Sequence, residues 1–204
     1  MGLYSNLVLP RLLDWAMSDE KLTPYRQAVL AEVSGDILEI GFGTGLNLAY
    51  YPRHIDKIIT IDANPGMNAL AQKRIAASEL TVEHRVLNGE NLPMVDNSFD
   101  YVVSTWTLCS IAKVDNALSE IYRVLRSGGK FVFVEHGLNE DPKVQVWQNR
   151  LTPIQKVIGD GCHLNRNIQE LVQRHFNQVT VERFVPEGLP AVSTTLYKGV
   201  ALKD

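Results

Sequence analysis

Residues 38–45, with the sequence LEIGFGTG, decide the fold of this chain. An apolar run at 37–40 leads directly into three glycines at alternate positions, Gly41, Gly43 and Gly45. Glycine allows a ligand to approach the backbone closely because no Cβ stands in the way. A buried strand that ends in a glycine loop is typical of the ligand-binding edge of a doubly wound α/β sheet.

Three further apolar runs follow this loop along the chain, at residues 58–61, 101–104 and 131–134. Continuous runs of this kind are typical of strands buried on both faces of a parallel sheet. Helices are predicted between the runs, at residues 45–51, 64–77 and 115–126. Alternation of strands and helices predicts a parallel sheet with helices on both of its faces.

The end of the chain has a different pattern. Two strand-like runs, 179–185 and 194–202, are joined by the turn-forming sequence PEGLP at 186–190, with no helix between them. Two strands joined in this way should pair antiparallel. The predicted fold class is therefore α/β: a doubly wound, Rossmann-like, mostly parallel sheet with a C-terminal antiparallel hairpin.

Composition and charge exclude several classes of protein. The chain has 204 residues, with 20 Lys and Arg against 23 Asp and Glu, and a net charge of −3. A nucleic-acid partner is disfavoured because there is no basic excess. No apolar run is long enough for a spanning helix. The two cysteines form no CxxC pair, which favours a reduced, cytoplasmic location.

Zinc-binding residue types are present, but their spacing is not that of a metal site. No two of Cys109, Cys162, His136 and His163 stand at a metal-ligand spacing in the sequence. We therefore predict no metal site from the sequence.

The glycine loop and the acids around it indicate the cofactor. Asp62 ends the second apolar run, where an acid can accept hydrogen bonds from both ribose hydroxyls. A dinucleotide fingerprint would place its third glycine at Leu46, so a nicotinamide cofactor is disfavoured. The pattern G-x-G-x-G, with Glu39 two residues before the first glycine, resembles that of class I S-adenosylmethionine-dependent methyltransferases.

Four further motifs carry the same resemblance, which covers about residues 36–137. They are Ile61-Asp62, GENLP at 89–93, NSFD at 97–100 and VLRSGG at 124–129. The resemblance implies S-adenosyl-L-methionine as cofactor and S-adenosyl-L-homocysteine as product. It implies cofactor contacts from Glu39, Gly41, Gly43, Gly45, Asp62, Ala63, Asn88, Gly89, Glu90, Ser104 and Thr105.

One residue departs from the pattern of that family. An aspartate usually stands two residues before the position of Glu90, where it holds the adenine amino group, and this chain has Asn88. An amide oxygen can accept the same hydrogen bond without a charge. With the resemblance, the prediction is a seven-stranded sheet in one domain, 1–204. Its parts are an N-terminal helical cap (1–34), a cofactor-binding half (35–137) and an acceptor-side half with the terminal hairpin (138–204).

A narrower resemblance extends over most of residues 36–204. The sequences LCS at 108–110, EH at 135–136 and GDGCHL at 159–164 are similar to those of thiol S-methyltransferases of the methyltransferase-like seven group. This resemblance implies a small-molecule thiol acceptor. His163, Asp160 and His136 are the predicted catalytic residues, because an imidazole near an acid can take the proton of a thiol.

Alternative functions and partners remain open at this stage. The acceptor could be a quinone or a lipid, and the domain could bind the cofactor without turnover. Residues 1–17 have apolar side chains near helical spacing, interrupted by Pro10, and predict a helix packed on the body or over a pocket. Weak peripheral contact with a membrane through this segment is the other interpretation. The animal thiol methyltransferases carry a membrane anchor ahead of the domain, and we expect a relative without one.

Overall fold

The computed structural model describes residues 3–204, and within that range the chain forms a single seven-stranded sheet. The strands are β1 (Ile37–Ile40), β2 (Lys57–Asp62), β3 (Thr81–Val86), β4 (Phe99–Thr105), β5 (Leu125–His136), β6 (Gln178–Phe184) and β7 (Leu196–Leu202). Their order across the sheet is β3-β2-β1-β4-β5-β7-β6. β1 to β5 are parallel, and β7 lies antiparallel between β5 and β6. The predicted fold class is confirmed.

The α-helices are α1 (Leu9–Met17), α2 (Thr23–Leu30), α3 (Asn68–Ala76), α4 (Val114–Val124), α5 (Pro142–Ile158), α6 (Ile168–Gln173) and α7 (Ala191–Thr194). Neighbouring residues of β4 show that both faces of the sheet are covered. Val102 packs in one apolar layer, which includes α4 and α6, and Val103 packs in the opposite layer, which includes α2. Both valines are fully buried, as the continuous apolar runs predicted.

Several elements differ from the predictions. The helix predicted at 45–51 is a 3₁₀ helix, Leu46–Tyr50, and helix α5 was not predicted. Edge strand β3 was not predicted, since Glu83, His84 and Arg85 break its apolar pattern. Helix α4 ends at Val124, and Leu125 already has extended backbone and pairs with β4, so the predicted helix end belongs to β5. The hairpin connection contains the four-residue helix α7, where no helix was predicted.

Residues 4–17 form what we call the N-terminal strap, a π-helical turn (Tyr4–Val8) followed by α1. Tyr4 donates a hydrogen bond to the carbonyl oxygen of Ile158 at 2.8 Å, at the end of α5. Asn64 donates to the carbonyl oxygen of Ser5 at 3.2 Å. The strap therefore connects the loop after β2 with the end of α5. The first two residues of the predicted N-terminal cap lie outside the described range.

The strap has one face on the body and one face in solvent. Leu9 is buried, whereas the side chains of Leu3, Leu7, Leu12 and Trp15 are exposed. Peripheral contact through this outer face stays a prediction. Among residues 3–204, none of the helices combines the length and the apolar character that crossing a bilayer requires.

Candidate active site

A cavity of about 630 Å³ lies at the carboxyl ends of the central parallel strands. The loop after β1, the end of β2 and the end of β4 line its floor. The N-terminal strap and α2 line one part of the wall, and residues of the segment 155–164 line another part. Both halves of the predicted domain therefore contribute to the same cavity.

The three glycines of the loop after β1 serve different purposes. All have positive φ: 76° at Gly41, 58° at Gly43 and 83° at Gly45. A Cβ at Gly41 would overlap the side chain of Thr107, and a Cβ at Gly45 would press on Phe42 at 3.1 Å. A Cβ at Gly43 would have only the carbonyl oxygen of Gly41 nearby, at 3.9 Å. Gly43 alone among the three keeps open space over the loop, and that space belongs to the cavity.

The carboxylate of Asp62 is fixed by backbone donors beside this space. Its Oδ2 accepts a hydrogen bond from the N–H of Gly43 at 2.7 Å, and its Oδ1 accepts one from the N–H of Asn64 at 2.8 Å. Burial raises the pKa of Asp62, and the two backbone hydrogen bonds oppose that rise. Each oxygen retains a lone pair, so both can still accept from ribose hydroxyls.

The loop after β3 completes the cofactor side of the cavity. Asn88, Gly89 and Glu90 line it, as does Ala63 after β2. The side-chain oxygen of Asn88 accepts from the N–H of Glu90 at 3.0 Å, and Glu90 accepts from the N–H of Lys113 at 2.9 Å. Open space at Gly43, a held carboxylate and an amide in the loop after β3 fit a nucleoside cofactor.

Two predicted cofactor residues lie behind the cavity wall. Glu39 is buried, accepts hydrogen bonds from Asn47 at 2.8 Å and from the Tyr51 hydroxyl at 2.7 Å, and does not line the cavity. Burial raises its pKa to about 7. Ser104 donates to buried Glu135 at 2.7 Å and also lies outside the cavity, whereas neighbouring Thr105 lines it. Direct contact with the cofactor is therefore not supported for Glu39 or Ser104, because β1 and β4 bury these side chains.

Arg26 of α2 is a cavity residue that the sequence analysis missed. It donates to Asn47 at 2.7 Å and to the carbonyl oxygen of Met17 at 3.0 Å. Its guanidinium lies 4.6 Å from the centre of the Trp106 ring. Burial lowers its pKa to about 10, so it is a cation at neutral pH. In the sequence it resembles any surface arginine of a short polar helix, and no pattern could have singled it out.

Two cysteines and a histidine meet in the wall of the cavity. The Sγ atoms of Cys109 and Cys162 are 3.5 Å apart, and Cys162 Sγ is 3.8 Å from Nδ1 of His136. All three residues line the cavity. The Cys109 thiol and the His136 imidazole lower the pKa of Cys162. Among the described residues, His136 Nε2 is one of two buried side-chain polar atoms without a hydrogen-bond partner.

The other two predicted catalytic residues have different surroundings. Asp160 lines the cavity and accepts a hydrogen bond from the Asn64 side chain at 3.1 Å, with Ser5 at 3.5 Å. His163 does not line the cavity, and its Nδ1 is 3.1 Å from the carbonyl oxygen of Cys109. Asp160 thus joins the strap to the body, and of the two predicted imidazoles only that of His136 reaches the cavity.

Comparisons with known proteins agree with this geometry. The family model described as "Methyltransferase domain" matches residues 38–133. The chain is 36% identical to the thiol S-methyltransferase TMT1B of Rattus norvegicus over 151 residues, which cover 72% of this chain and 62% of the relative. It is 37% identical to TMT1B of Mus musculus over 172 residues, 78% of this chain and 70% of the relative. The chain thus spans less than two thirds of the rat protein.

A solved structure shares the fold along the whole chain. It is a SAM-dependent methyltransferase of Thermotoga maritima, described as a possible histamine N-methyltransferase, with a TM-score of 0.67 and 21% identity over 98% of each chain. Its likeness supports the architecture, and the curated relatives support the family. The chain therefore belongs to the S-adenosylmethionine-dependent methyltransferases that include the thiol S-methyltransferases, and S-adenosylmethionine is its cofactor.

Proposed function

We propose that this protein methylates the sulfur of small thiols. The observation that carries the proposal is a continuous cavity with two chemically different ends. One end has Gly43, Asp62 and Asn88, and the other has Cys109, His136 and Cys162. The two relatives compared above, from rat and mouse, are thiol S-methyltransferases by name, which supports the same acceptor class.

Four groups on the cofactor side would hold S-adenosylmethionine. Asp62 accepts the ribose hydroxyls, and the Asn88 amide oxygen accepts from the adenine amino group. Gly43 leaves space for the nucleoside, and the Arg26 cation pairs with the carboxylate of the methionine part. The bound cofactor supplies a methyl group that its sulfonium already activates. What remains for the protein is positioning, which can contribute about 7–11 kcal/mol.

The residues around the acceptor have to bind it as a thiolate, facing the methyl group, and have to keep water out of the cavity. A free thiol with a pKa near 8.5 is only a few per cent ionised at neutral pH, so its proton must be removed or its anion stabilised. His136 is the predicted catalytic residue that we place at this end, because its ring is buried in the cavity wall. Trp106 and the strap residues Leu13 and Met17 line the cavity and would exclude water.

A screen of acceptors tests the proposal. The protein is incubated with S-adenosylmethionine and, separately, with 2-mercaptoethanol, a phenol, a reduced quinone and a phospholipid, and S-adenosylhomocysteine is measured. We expect product with the thiol and none above a reaction without acceptor for the others. Turnover of the quinone or the lipid with an inert thiol would contradict the acceptor class. Binding of S-adenosylhomocysteine without turnover of any acceptor would indicate a binding module.

A further inference from the structure

The cluster of Cys109, His136 and Cys162 has the dimensions of a metal site. One ligand atom from each residue lies within 4.8 Å of the others. Tetrahedral zinc with Zn–S near 2.3 Å and Zn–N near 2.0–2.1 Å would set the sulfurs about 3.8 Å apart and sulfur and nitrogen about 3.5 Å apart. The observed separations are 3.5 Å between the sulfurs and 3.8 Å from Cys162 Sγ to His136 Nδ1.

Backbone contacts fix the positions of both sulfurs. The N–H of His163 donates to the carbonyl oxygen of Cys109 at 2.9 Å, so the two cysteine segments are joined directly. A Cβ at Gly161 would lie 2.9 Å from the carbonyl oxygen of Ser110, so only glycine allows this approach. Next to Cys109, the carbonyl oxygen of Leu108 accepts from Arg166, and its N–H donates to Glu135 at 3.0 Å. The cluster is thus prearranged by groups around it, as metal ligands usually are.

The imidazole of His136 is the third potential ligand of the cluster. His136 is only 5% exposed, and its Nε2 has no hydrogen-bond partner among the described residues. A structural histidine buried to this degree normally satisfies both nitrogens. Here Nδ1 faces Cys162 Sγ and is the nitrogen that would bind a metal, and Nε2 has no partner on the other side of the ring.

We propose that Cys109, Cys162 and His136 bind a zinc ion whose fourth coordination position opens into the cavity. Two thiolates and a neutral imidazole balance the charge of Zn²⁺, so the buried site is neutral overall. Three protein ligands and one open position are typical of catalytic zinc, whereas structural zinc has four protein ligands. The ligands come from the loop after β4, the end of β5 and the segment after α5. No spacing within one stretch of sequence therefore indicates the site.

The open position has a role that rests on the proposed function. A thiol that binds there releases its proton to water, because zinc deprotonates a coordinating thiol. The bound sulfur's lone pair then forms the bond to the methyl carbon, while the carbon–sulfonium bond breaks and its electron pair stays on the leaving sulfur. The products are a neutral thioether and S-adenosylhomocysteine. In this arrangement His136 is a metal ligand and not the proton acceptor.

Metal content and cobalt spectroscopy test the site without an activity assay. The full chain, purified without chelator, should contain zinc at about one ion per chain. After replacement by Co²⁺, it should show a sulfur-to-cobalt charge-transfer band and the visible bands of four-coordinate cobalt. Cys162→Ser and His136→Gln should lower metal affinity at least about 10- to 100-fold. His163→Gln is the matched control, since it changes a neighbouring imidazole and should keep the metal.

Three further measurements keep the outcomes distinct. If the variants misfold, a thiol reagent on the native chain decides: both cysteines should react after chelation, and neither should react with zinc restored. A protein that takes up no zinc or cobalt, or a Cys109–Cys162 disulfide under reducing conditions, would overturn the site.

Adding 2-mercaptoethanol to the cobalt form without S-adenosylmethionine should shift its visible bands. Metal binding without that shift would overturn the open position, and thiol methylation by metal-free protein would overturn the metal's role while leaving the proposed function intact.

Discussion

Replacing Gly43 by alanine tests whether the space above this residue is needed by the cofactor or by the fold. The new methyl group would meet no protein atom closer than 3.9 Å, so no clash is expected in the ligand-free chain. The remaining cost comes from the backbone, because alanine at φ 58° is strained by roughly 1–2 kcal/mol. For a chain of 204 residues this should lower the melting temperature by roughly 2–8 °C.

The same methyl group should also weaken binding of the cofactor, because of its position in the cavity. It would occupy cavity volume beside the Asp62 carboxylate, and forcing a methyl group into a filled site typically costs about 1–3 kcal/mol. That corresponds to a roughly 5- to 150-fold rise in the dissociation constant of S-adenosylhomocysteine, measured by titration calorimetry.

Gly128→Ala is the matched control for this experiment. Gly128 has φ 76° and nothing within 4 Å of the position of its Cβ, and it does not line the cavity. It should lose a similar amount of stability and bind S-adenosylhomocysteine like the parent protein. Unchanged binding by Gly43→Ala, or equal losses in both variants, would refute the placement of the cofactor over Gly43.

Three further predictions concern charged residues around the cavity. Asp62→Asn should raise the dissociation constant of S-adenosylhomocysteine about 10- to 150-fold, because charge-assisted bonds to the ribose are lost; an unchanged constant in calorimetry would place the ribose elsewhere. Glu39 has its pKa raised to about 7 by burial, so the unfolded chain releases this proton first and stability should fall as pH rises from about 4 to about 7. Glu39→Gln should therefore show a shallower fall in melting temperature over that range, and parallel curves for the two proteins would contradict the assignment. Asp14 accepts from Thr44 at 2.6 Å and from Arg74 at 2.7 Å, so Asp14→Ala should release the strap and speed tryptic cleavage after Arg11. Asp56→Ala, at an exposed aspartate away from the strap, should cleave like the parent, and equal rates in all three proteins would show that this contact does not hold the strap.

Sequence patterns predicted the central strands well because a strand that is buried on both faces of the sheet has a continuous apolar run in the sequence. The apolar runs of β1, β2, β4 and β5 were recognisable for this reason, as was the glycine loop. Edge strand β3 was not, since its Glu83 and Arg85 side chains can reach solvent. The end of α4 and the structure of the hairpin connection depend on pairing across the sheet. A short stretch of sequence carries no information about that pairing.

Site residues were predictable where their position depends on one strand end. They were not predictable where their position depends on contacts between several segments of the chain. Asp62 and Gly43 follow from their own positions in the chain. The fate of Glu39 depends on Asn47 and Tyr51, which fold back beneath the loop and engage its carboxylate. The meeting of Cys109 with Cys162 requires the segment after α5 to return over β4 and β5, a long-range contact without a sequence signal.

The contacts of the N-terminal strap also set an order for folding. The hydrogen bond from Tyr4 to Ile158 joins residues 154 positions apart, and the pair Ser5 and Asp160 spans 155. During synthesis the strap is therefore made long before Ile158 and Asp160 exist, and these two contacts can form only when the segment at the end of α5 has been made. Contacts of such long sequence separation form late, after the loop between them has closed. The segment that is translated early is thus among the last to dock, and the cavity gains that wall only when the rest of the domain is in place.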